Sequence, residues 1–222
     1  MMEHRSFAFF DVDETLISIK SMFDFFPFWC KWIGAAPEAY SRFETETASA
    51  IARHATREEL NRLYYRSFRG AQLPVLEAAG AAWFLQRFGR SPPYRKHVVA
   101  RLEKHRQEGV VPVLVSGSMR PLLRPIAREL QAEHCLCTRL VVDESGRLTG
   151  EIGSPQTIGE GKAEAIRAFL REQGGRPADC LAYGDDISDL AMLELVGAPV
   201  VVGTQPDLLS ICRQRDWPYL PL

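Results

Sequence analysis

The sequence predicts an α/β protein with a doubly wound parallel sheet and a helical unit inserted after its first strand. Short, wholly apolar runs alternate along the chain with segments whose apolar residues recur at helical spacing. Strands covered by helices on both faces have this continuous apolar character, and the alternation is typical of parallel sheets with right-handed crossovers. An unusually long gap between the first two apolar runs indicates the insert.

Four apolar runs are predicted to form strands of this sheet, because each is short and continuous. They are residues 7–10, 110–115, 180–183 and 199–202. Helices are predicted where apolar residues recur on one helical face, at residues 94–107, 121–130 and 162–170. A Ser-Gly turn within residues 140–152 predicts a small hairpin.

The chain between the first two strands is much longer than a simple crossover needs. Helical patterns fill most of this surplus, at residues 44–53, 57–68 and 75–88. We therefore predict a catalytic core from residues 1–16 and 91–222, and a helical cap from residues 17–90.

Two local signals support the helical cap. Thr56 followed by Glu59 fits a capping box at the start of a helix. Aromatic residues cluster in the first cap helix, at Phe23, Phe25, Phe26, Phe28, Trp29 and Trp32. We expect these rings to form the core of the cap, and one apolar face can also line a substrate site.

The composition excludes a strongly basic surface. Lys and Arg number 27 against 28 Asp and Glu, so the formal net charge is −1 and no global field favours nucleic acid. The polar start at residues 1–6 gives no signal-peptide pattern, and the five scattered cysteines complete no zinc pattern. We expect a cytoplasmic protein without nucleic-acid or membrane partners, and the sequence leaves the oligomeric state open.

Asp11, Asp13 and Thr15 follow directly after the first apolar run. Two carboxylates and a hydroxyl then stand at the end of a buried strand, where one carboxylate can attack an electrophile and the other can manage a proton. Asp-rich turns are common, so this stretch gains its meaning from the segments that follow it.

Three further polar segments follow in order along the chain. They are Ser116-Gly117-Ser118, Gly161-Lys162 and Asp185-Asp186-Ile187-Ser188-Asp189. Ligands of open parallel sheets bind at the carboxyl ends of the strands. Each segment follows a strand or opens a helix at that edge, so we expect all four to converge on one phosphoryl-transfer site.

Within this site Asp11 is the candidate nucleophile, because a carboxylate can accept a phosphoryl group as an acyl phosphate. Asp13 is the candidate general acid and base. Carboxylates that face a phosphate dianion need cations, and Mg²⁺ prefers such oxygen ligands. We predict Asp11, Asp185 and the backbone carbonyl of Asp13 as its direct ligands. Asp189 would hold a metal-bound water or orient Lys162.

The remaining groups are candidates for binding the phosphate of the substrate. Lys162 supplies a fixed positive charge for the phosphoryl oxygens. Ser116 and Gly117 offer a hydroxyl and backbone amides at a helix start, which suit an anion. The Thr15 hydroxyl can do the same, or it can hold its own turn together.

These motifs together resemble those of the haloacid dehalogenase-like hydrolase superfamily, subfamily IB, and are most similar to its phosphoserine-phosphatase-like branch. In motif order, the matching residues are Asp11, Asp13 and Thr15, then Ser116, then Lys162, then Asp185 with Asp189. The resemblance implies a Rossmann-like core, a small helical cap of the C1 type, Mg²⁺ dependence, and phosphate-monoester hydrolysis through a phosphoaspartate.

Lys20 departs from the phosphoserine-phosphatase pattern, in which a glutamate nine residues after the nucleophile binds the amino group of the substrate. A lysine repels an ammonium group and favours an additional anionic group on the substrate, or it lies solvated at the hinge. Asp186 stands where relatives often have Ser or Gly, and it can add to metal coordination or cap the next helix. Cap arginines could also meet an anionic group: Arg53, Arg57, Arg62, Arg66 and Arg69.

The sequence thus predicts a cytoplasmic Mg²⁺-dependent phosphatase that acts on a small phosphorylated metabolite. A phosphotransferase, in which an acceptor alcohol replaces water, is the first alternative. A protein that binds a phosphorylated ligand without turning it over is the second, although the complete set of acidic residues and the lysine argues against it. A two-component receiver domain shares a phosphorylatable aspartate, but it lacks the second acid and the large cap.

Overall fold

A computed structural model describes residues 5–221 and shows a parallel sheet between two layers of helices. Its strands are β1 (Phe7–Asp11), β2 (Val111–Met119), β3 (His134–Thr138), β4 (Leu140–Val142), β5 (Leu148–Ile152), β6 (Leu181–Gly184), β7 (Ala198–Val202) and β8 (Tyr219–Leu220). Its helices are α1 (Ser21–Trp32), α2 (Pro37–Ala52), α3 (Arg57–Arg66), α4 (Leu73–Phe88), α5 (Lys96–Gln107), α6 (Arg120–Glu129), α7 (Glu160–Gln173), α8 (Leu190–Leu195) and α9 (Pro206–Gln214). Most of the polar start, residues 1–4, lies outside the described range, as does residue 222.

The six-stranded sheet is parallel throughout and has the strand order β3-β2-β1-β6-β7-β8. The chain builds outward from β1 to β3 and then returns to β6 on the other side of β1. The carboxyl ends of β1 and β6 therefore flank the point where the strand order reverses, which is where open α/β sheets bind ligands. The predicted doubly wound α/β fold is confirmed. Strands β4 and β5 form the predicted antiparallel hairpin.

Alternate residues of β1 face different helical layers, which explains why the whole strand is apolar. Phe7 and Phe9 pack in one buried cluster with residues of α7, α8 and α9. Ala8 and Phe10 pack in the other cluster, with residues of α5, α6 and the inserted helices. All four side chains are fully buried. Strand β1 thus lies at the centre of the molecule and fixes the position of Asp11 at its end.

The segment between β1 and α5 folds into the helices α1 to α4, in agreement with the predicted helical insert. At the start of α3, the Glu59 amide donates to Thr56 Oγ1 at 3.2 Å, and the Thr56 amide donates to Glu59 Oε2 at 2.8 Å. This is the predicted capping box. Helix α2 begins at Pro37 and not at residue 44, because proline suits the first turn of a helix and the polar residues there carry little apolar periodicity.

The inserted helices share one hydrophobic cluster with the sheet and do not enclose a separate core. Phe25, Phe68 and Trp83 are buried in this cluster together with Leu122 of α6. Aromatic side chains of α1 therefore pack inside the insert and also hold it on the sheet. The division at residues 17–90 stays a prediction, since packing is continuous across it.

Several elements carry too little sequence signal to be predicted. The edge strand β3 is largely half-buried and mixes histidine, cysteine and threonine with one leucine. Strand β8 has two residues, and helix α8 has six. Tertiary packing decides such short elements, because their local periodicity is too brief to do so.

No helix within residues 5–221 is both long and apolar enough to cross a bilayer. The five cysteines are free thiols, and two of them are buried. The cytoplasmic location stays a prediction.

Helix α4 crosses α6 at Gly80, where the two backbones come very close. A Cβ atom at this position would lie 2.5 Å from the carbonyl oxygen of Pro121, which is part of the backbone and cannot move aside alone. We predict that Gly80→Ala lowers the free energy of unfolding by about 1–3 kcal/mol, although alanine favours a helix by about 1 kcal/mol. Urea unfolding followed by circular dichroism measures the change.

The matched control for Gly80→Ala is Ala81→Leu, on the exposed side of the same helix. It should change the free energy of unfolding by less than about 0.5 kcal/mol. Equal effects of the two substitutions would contradict the predicted clash.

Candidate active site

The four polar segments converge on one cavity at the carboxyl edge of the sheet, next to the point where the strand order reverses. Asp11 ends β1, Ser116 lies in β2, and Asp185 follows β6. Lys162 lies in the first turn of α7. These residues line a cavity of about 330 Å³, and the inserted helices form its opposite wall. The structure therefore brings together residues that are far apart in the sequence.

Lys162 is the electrostatic centre of the site. Its ammonium group donates to Asp11 Oδ1 at 2.5 Å and to Asp189 Oδ1 at 2.6 Å. The side chain of Lys162 is 5% exposed. Burial lowers the pKa of such a lysine, but the two carboxylates outweigh it and raise the pKa of Lys162 above its usual value. Lys162 is therefore a fixed positive charge, and Asp189 orients it, which is one of the two roles predicted for Asp189.

The three aspartates form a site that fits a magnesium ion. Burial raises the pKa of Asp11 well above its usual value, Lys162 opposes the rise, and the carboxylates of Asp189 and Asp185 add to it. One oxygen from each of Asp11, Asp185 and Asp189 lies within 4.8 Å of the others. When all three carboxylates are ionised, their negative charge exceeds the single positive charge of Lys162, and their oxygens are the ligands that Mg²⁺ prefers.

Thr15 is fully buried, and it contacts Asp185 from behind the cavity. Its hydroxyl donates to Asp185 Oδ1 at 2.5 Å. Burial raises the pKa of Asp185 to about 7, and the charge of Asp189 adds to the rise. The structure thus shows the Thr15 hydroxyl in contact with a carboxylate, and its contact with a phosphate stays a prediction.

Asp13 lines the cavity and is oriented by the first inserted helix. Its Oδ1 accepts a hydrogen bond from the backbone amide of Ser21 at 2.7 Å, at the N-terminus of α1. Burial raises the pKa of Asp13 above its usual value, while the hydrogen bonds from Ser21 lower it. A carboxyl group that is held by one oxygen keeps its second oxygen for proton transfer.

Ser116 and Gly117 line the cavity from within β2, and helix α6 begins only at Arg120, so they do not lie at a helix start as the sequence predicted. The buried Ser116 hydroxyl accepts from the Ser118 amide at 3.0 Å. The Gly117 carbonyl accepts from Asn61 Nδ2 at 3.0 Å. A Cβ atom at Gly117 would lie 2.5 Å from Cγ1 of Ile158, so a glycine lets β2 pack closely against the loop before α7.

Two ion pairs lie at the rim of the cavity. Lys20 Nζ is 3.2 Å from Glu14 Oε2, and Arg57 Nη2 donates to Asp186 Oδ2 at 2.5 Å. Asp186 Oδ1 also accepts from the Ser188 amide at 2.9 Å and caps the turn that precedes α8. Of the two roles predicted for Asp186, the structure shows the capping contact.

Sequence reasoning missed how helix α3 contacts the site. Asn61 Oδ1 accepts from Gln156 Nε2 at 2.9 Å, in addition to the bond that Asn61 donates to Gly117. Of the five cap arginines that were predicted as possible contacts for an anionic group of the substrate, Arg57 lines the cavity. Asn61 gave one weak signal, because it is a polar residue on the helical face that carries Tyr64. Gln156 gave none.

A sequence comparison agrees with this fold and site. The profile of the haloacid dehalogenase-like hydrolase family matches residues 8–194. That range begins in β1 and includes all four polar segments. The chain belongs to the haloacid dehalogenase-like hydrolase family, and the resemblance predicted from the motifs is confirmed.

Individual relatives extend the comparison. A probable phosphatase of Mycobacterium tuberculosis (strain ATCC 25618 / H37Rv) is 44% identical over 108 residues, which cover 49% of this chain and 37% of that protein. A crystal structure of a protein of unknown function from Bordetella pertussis Tohama I superposes with a TM-score of 0.86 at 24% identity, covering 98% of each chain. A substrate-bound phosphoserine phosphatase superposes with a TM-score of 0.65 at 17% identity, covering 94% of this chain and 90% of that one. The two structures show a shared fold, and this chain spans little more than a third of the mycobacterial relative.

The raised pKa of Asp185 predicts that the stability of the metal-free protein depends on pH. The pKa is about 7 in the folded state and about 3.9 in an unfolded chain. The folded state therefore binds more protons between these pH values, and stability falls as the pH rises from about 4 to about 7. Relative to Asp185→Asn, the wild type should lose on the order of 2 kcal/mol of unfolding free energy over this interval, because asparagine cannot ionise.

Urea unfolding in EDTA at several pH values measures this difference between wild type and Asp185→Asn. Asp207→Asn, at an exposed position in α9, is the control and should follow the wild-type profile. Parallel profiles of wild type and Asp185→Asn would show that Asp185 titrates normally.

Proposed function

We propose that this protein is a Mg²⁺-dependent phosphatase that hydrolyses a small organic phosphate monoester through a phosphoaspartate at Asp11. One observation carries the proposal. Lys162 donates to Asp11 at 2.5 Å inside a buried cluster that also contains Asp185 and Asp189, with one oxygen of each aspartate within 4.8 Å of the others. Membership of a hydrolase family and similarity to a protein named a probable phosphatase support it.

In the first half-reaction, a carboxylate oxygen of Asp11 attacks the phosphorus atom, and the bond between phosphorus and the ester oxygen breaks. The ester oxygen takes a proton from Asp13 and leaves as an alcohol. The Ser21 amide holds Oδ1 of Asp13, so the second oxygen carries this proton.

In the second half-reaction, Asp13 removes a proton from a water molecule. The oxygen of that water attacks the phosphorus atom of the aspartyl phosphate, and the bond between phosphorus and Asp11 breaks. Inorganic phosphate leaves, and both aspartates return to their starting states.

Positive charge is required, because Asp11 and its neighbours Asp185 and Asp189 repel a phosphate dianion when they are ionised. Lys162 supplies one fixed charge for the phosphoryl oxygens. Asp11, Asp185 and the Asp13 carbonyl would hold Mg²⁺, which when bound neutralises the charge between these carboxylates and the phosphate.

The other residues of the site have supporting roles in this proposal. Ser116 and Gly117 would bind the phosphoryl oxygens, and Asp189 would keep Lys162 in place. The inserted helices, the proposed cap of residues 17–90, would exclude bulk water while the alcohol leaves.

We predict that Asp11→Asn lowers Mg²⁺-dependent phosphate release by a factor on the order of 10⁴ or more, because an amide is a poor nucleophile. The assay measures phosphate released from a panel of sugar, amino-acid and nucleotide monophosphates, with circular dichroism to check the fold. Asp207→Asn makes the same chemical change outside the site and should retain wild-type rates. Full activity of a folded Asp11→Asn protein would refute the nucleophile.

We predict that Thr15→Val raises the Mg²⁺ concentration needed for half-maximal activity by on the order of tenfold, because a ligand carboxylate loses its supporting hydrogen bond. Saturating Mg²⁺ should largely restore the rate. Thr204→Val, at an exposed position, is the control and should leave the requirement unchanged. A low rate at saturating Mg²⁺ with an unchanged requirement would instead place Thr15 in contact with the phosphate.

A further inference from the structure

The wall that the inserted helices contribute to the active-site cavity is largely apolar, although the wall at the carboxyl edge of the sheet is charged. The wall contributed by the inserted helices consists mainly of aliphatic, thioether and aromatic side chains, and Ile158 adds to it from the loop before α7. These cap residues are Met22, Phe23, Ile51, Leu60 and Tyr64. Apolar walls with a few polar groups are typical of small-molecule sites, and a volume of about 330 Å³ is at the small end of their range.

Two of these apolar side chains remain in contact with solvent at the mouth of the cavity. Phe23 is 43% exposed, and Ile51 is 57% exposed. Apolar surface in water costs free energy, and an exposed apolar patch next to a cavity is typical of a binding site. A hydrocarbon group attached to a bound phosphate would cover both side chains.

The charged side chains at the rim are already balanced. Lys20 pairs with Glu14 at 3.2 Å, and Arg57 pairs with Asp186 at 2.5 Å. Each pair sums to zero charge, so the rim offers no net attraction to an anionic or cationic leaving group. Recruiting either lysine or arginine to a substrate would leave its carboxylate partner without a cation.

Tyr64 gives the cap wall an aromatic and neutral surface. The centroid of its ring lies 6.4 Å from that of Phe23. Its hydroxyl is buried and has no hydrogen-bond partner within residues 5–221. This group can donate a hydrogen bond to an oxygen atom of a bound substrate.

We infer that the leaving group is a compact apolar alcohol, either a short alkyl chain or an aromatic ring. This inference rests on the proposed phosphatase function. The charged residues at the sheet edge take the phosphate, and the apolar wall of the inserted helices takes the hydrocarbon. In this interpretation Lys20 stays paired with Glu14 and does not bind the substrate, so an additional anionic group on the substrate is disfavoured.

A series of primary-alcohol monophosphates tests this inference, because their leaving groups have similar intrinsic reactivity. Values of kcat/KM with Mg²⁺ should rise by about threefold per added methylene from ethyl to butyl to hexyl phosphate. At equal chain length, the kcat/KM for 5-carboxypentyl phosphate should be at least about tenfold lower than that for hexyl phosphate, because its carboxylate must lose its hydration to enter the apolar site. A comparison of kcat/KM for benzyl phosphate with that for hexyl phosphate shows whether the site prefers an aromatic or an aliphatic leaving group. Equal or faster turnover of the carboxylated compound would overturn the inference.

A pair of matched variants locates the effect in the cavity. Ile51→Gln should lower the ratio of kcat/KM for hexyl phosphate to that for ethyl phosphate by on the order of threefold. Leu85→Gln makes a similar change at a 73% exposed position in α4, outside the cavity, and should leave the ratio unchanged. An unchanged ratio in Ile51→Gln would argue against an apolar subsite at this wall.

Binding of phosphonates, which resist hydrolysis, separates this inference from the proposed function. Calorimetric titration with Mg²⁺ should give an affinity for hexylphosphonate on the order of 100-fold above that for ethylphosphonate, because the two differ by four methylenes. If this difference is found and no monophosphate is hydrolysed, the proposed function fails and the apolar subsite stands. Equal affinities overturn the subsite, even in an active phosphatase.

Discussion

The buried ammonium group of Lys162 is the interaction on which the rest of the site depends. It lies between Asp11, which ends the central strand, and Asp189, which belongs to the turn after β6. A buried carboxylate without a partner costs several kcal/mol, so the lysine makes it possible to gather acidic residues at one edge of the sheet. Its position depends on close packing at the start of α7, where a Cβ atom on Gly161 would lie 1.7 Å from the carbonyl oxygen of Gln156.

The inserted helices are tied to this charged centre by two kinds of contact. One is the hydrophobic cluster that runs without a break from α1 and α4 into the layer beneath the sheet. The other is a set of polar contacts with segments that line the cavity, such as the bond from Asn61 to the Gly117 carbonyl. The apolar cluster sets where the insert lies, and the polar contacts set the shape of the wall that it presents to a ligand.

The motifs were readable in the sequence because phosphoryl transfer needs particular residue types, and because the carboxyl edge of a parallel sheet gathers them. Asp11, Lys162 and Asp185 could be predicted to lie at that edge once the strands and helix starts near them were recognised. Errors of a few residues in the bounds of those elements do not change this prediction. Contacts between the insert and the core could not be predicted in this way. The pair of Arg57 and Asp186 spans 129 positions and depends on how α3 docks, which no local pattern records.

Thr15 illustrates the same limit at short range. A hydroxyl next to two carboxylates can be a phosphate ligand or a turn residue, and the sequence alone does not distinguish the two roles. The direction of its side chain depends on where the loop after β6 lies, 170 positions away. Only the assembled sheet shows that Asp185 is its partner.

The contact between Asp13 and the start of α1 has a consequence for how such a protein can evolve. The donor is the main-chain amide of residue 21, and every amino acid except proline supplies that group. Side chains along α1 can therefore be exchanged to suit a new substrate while this amide continues to hold the carboxyl group of Asp13. If the proposed reaction holds, side chains of α1 select the substrate and a backbone contact supports proton transfer, so the first can change in evolution while the second is kept.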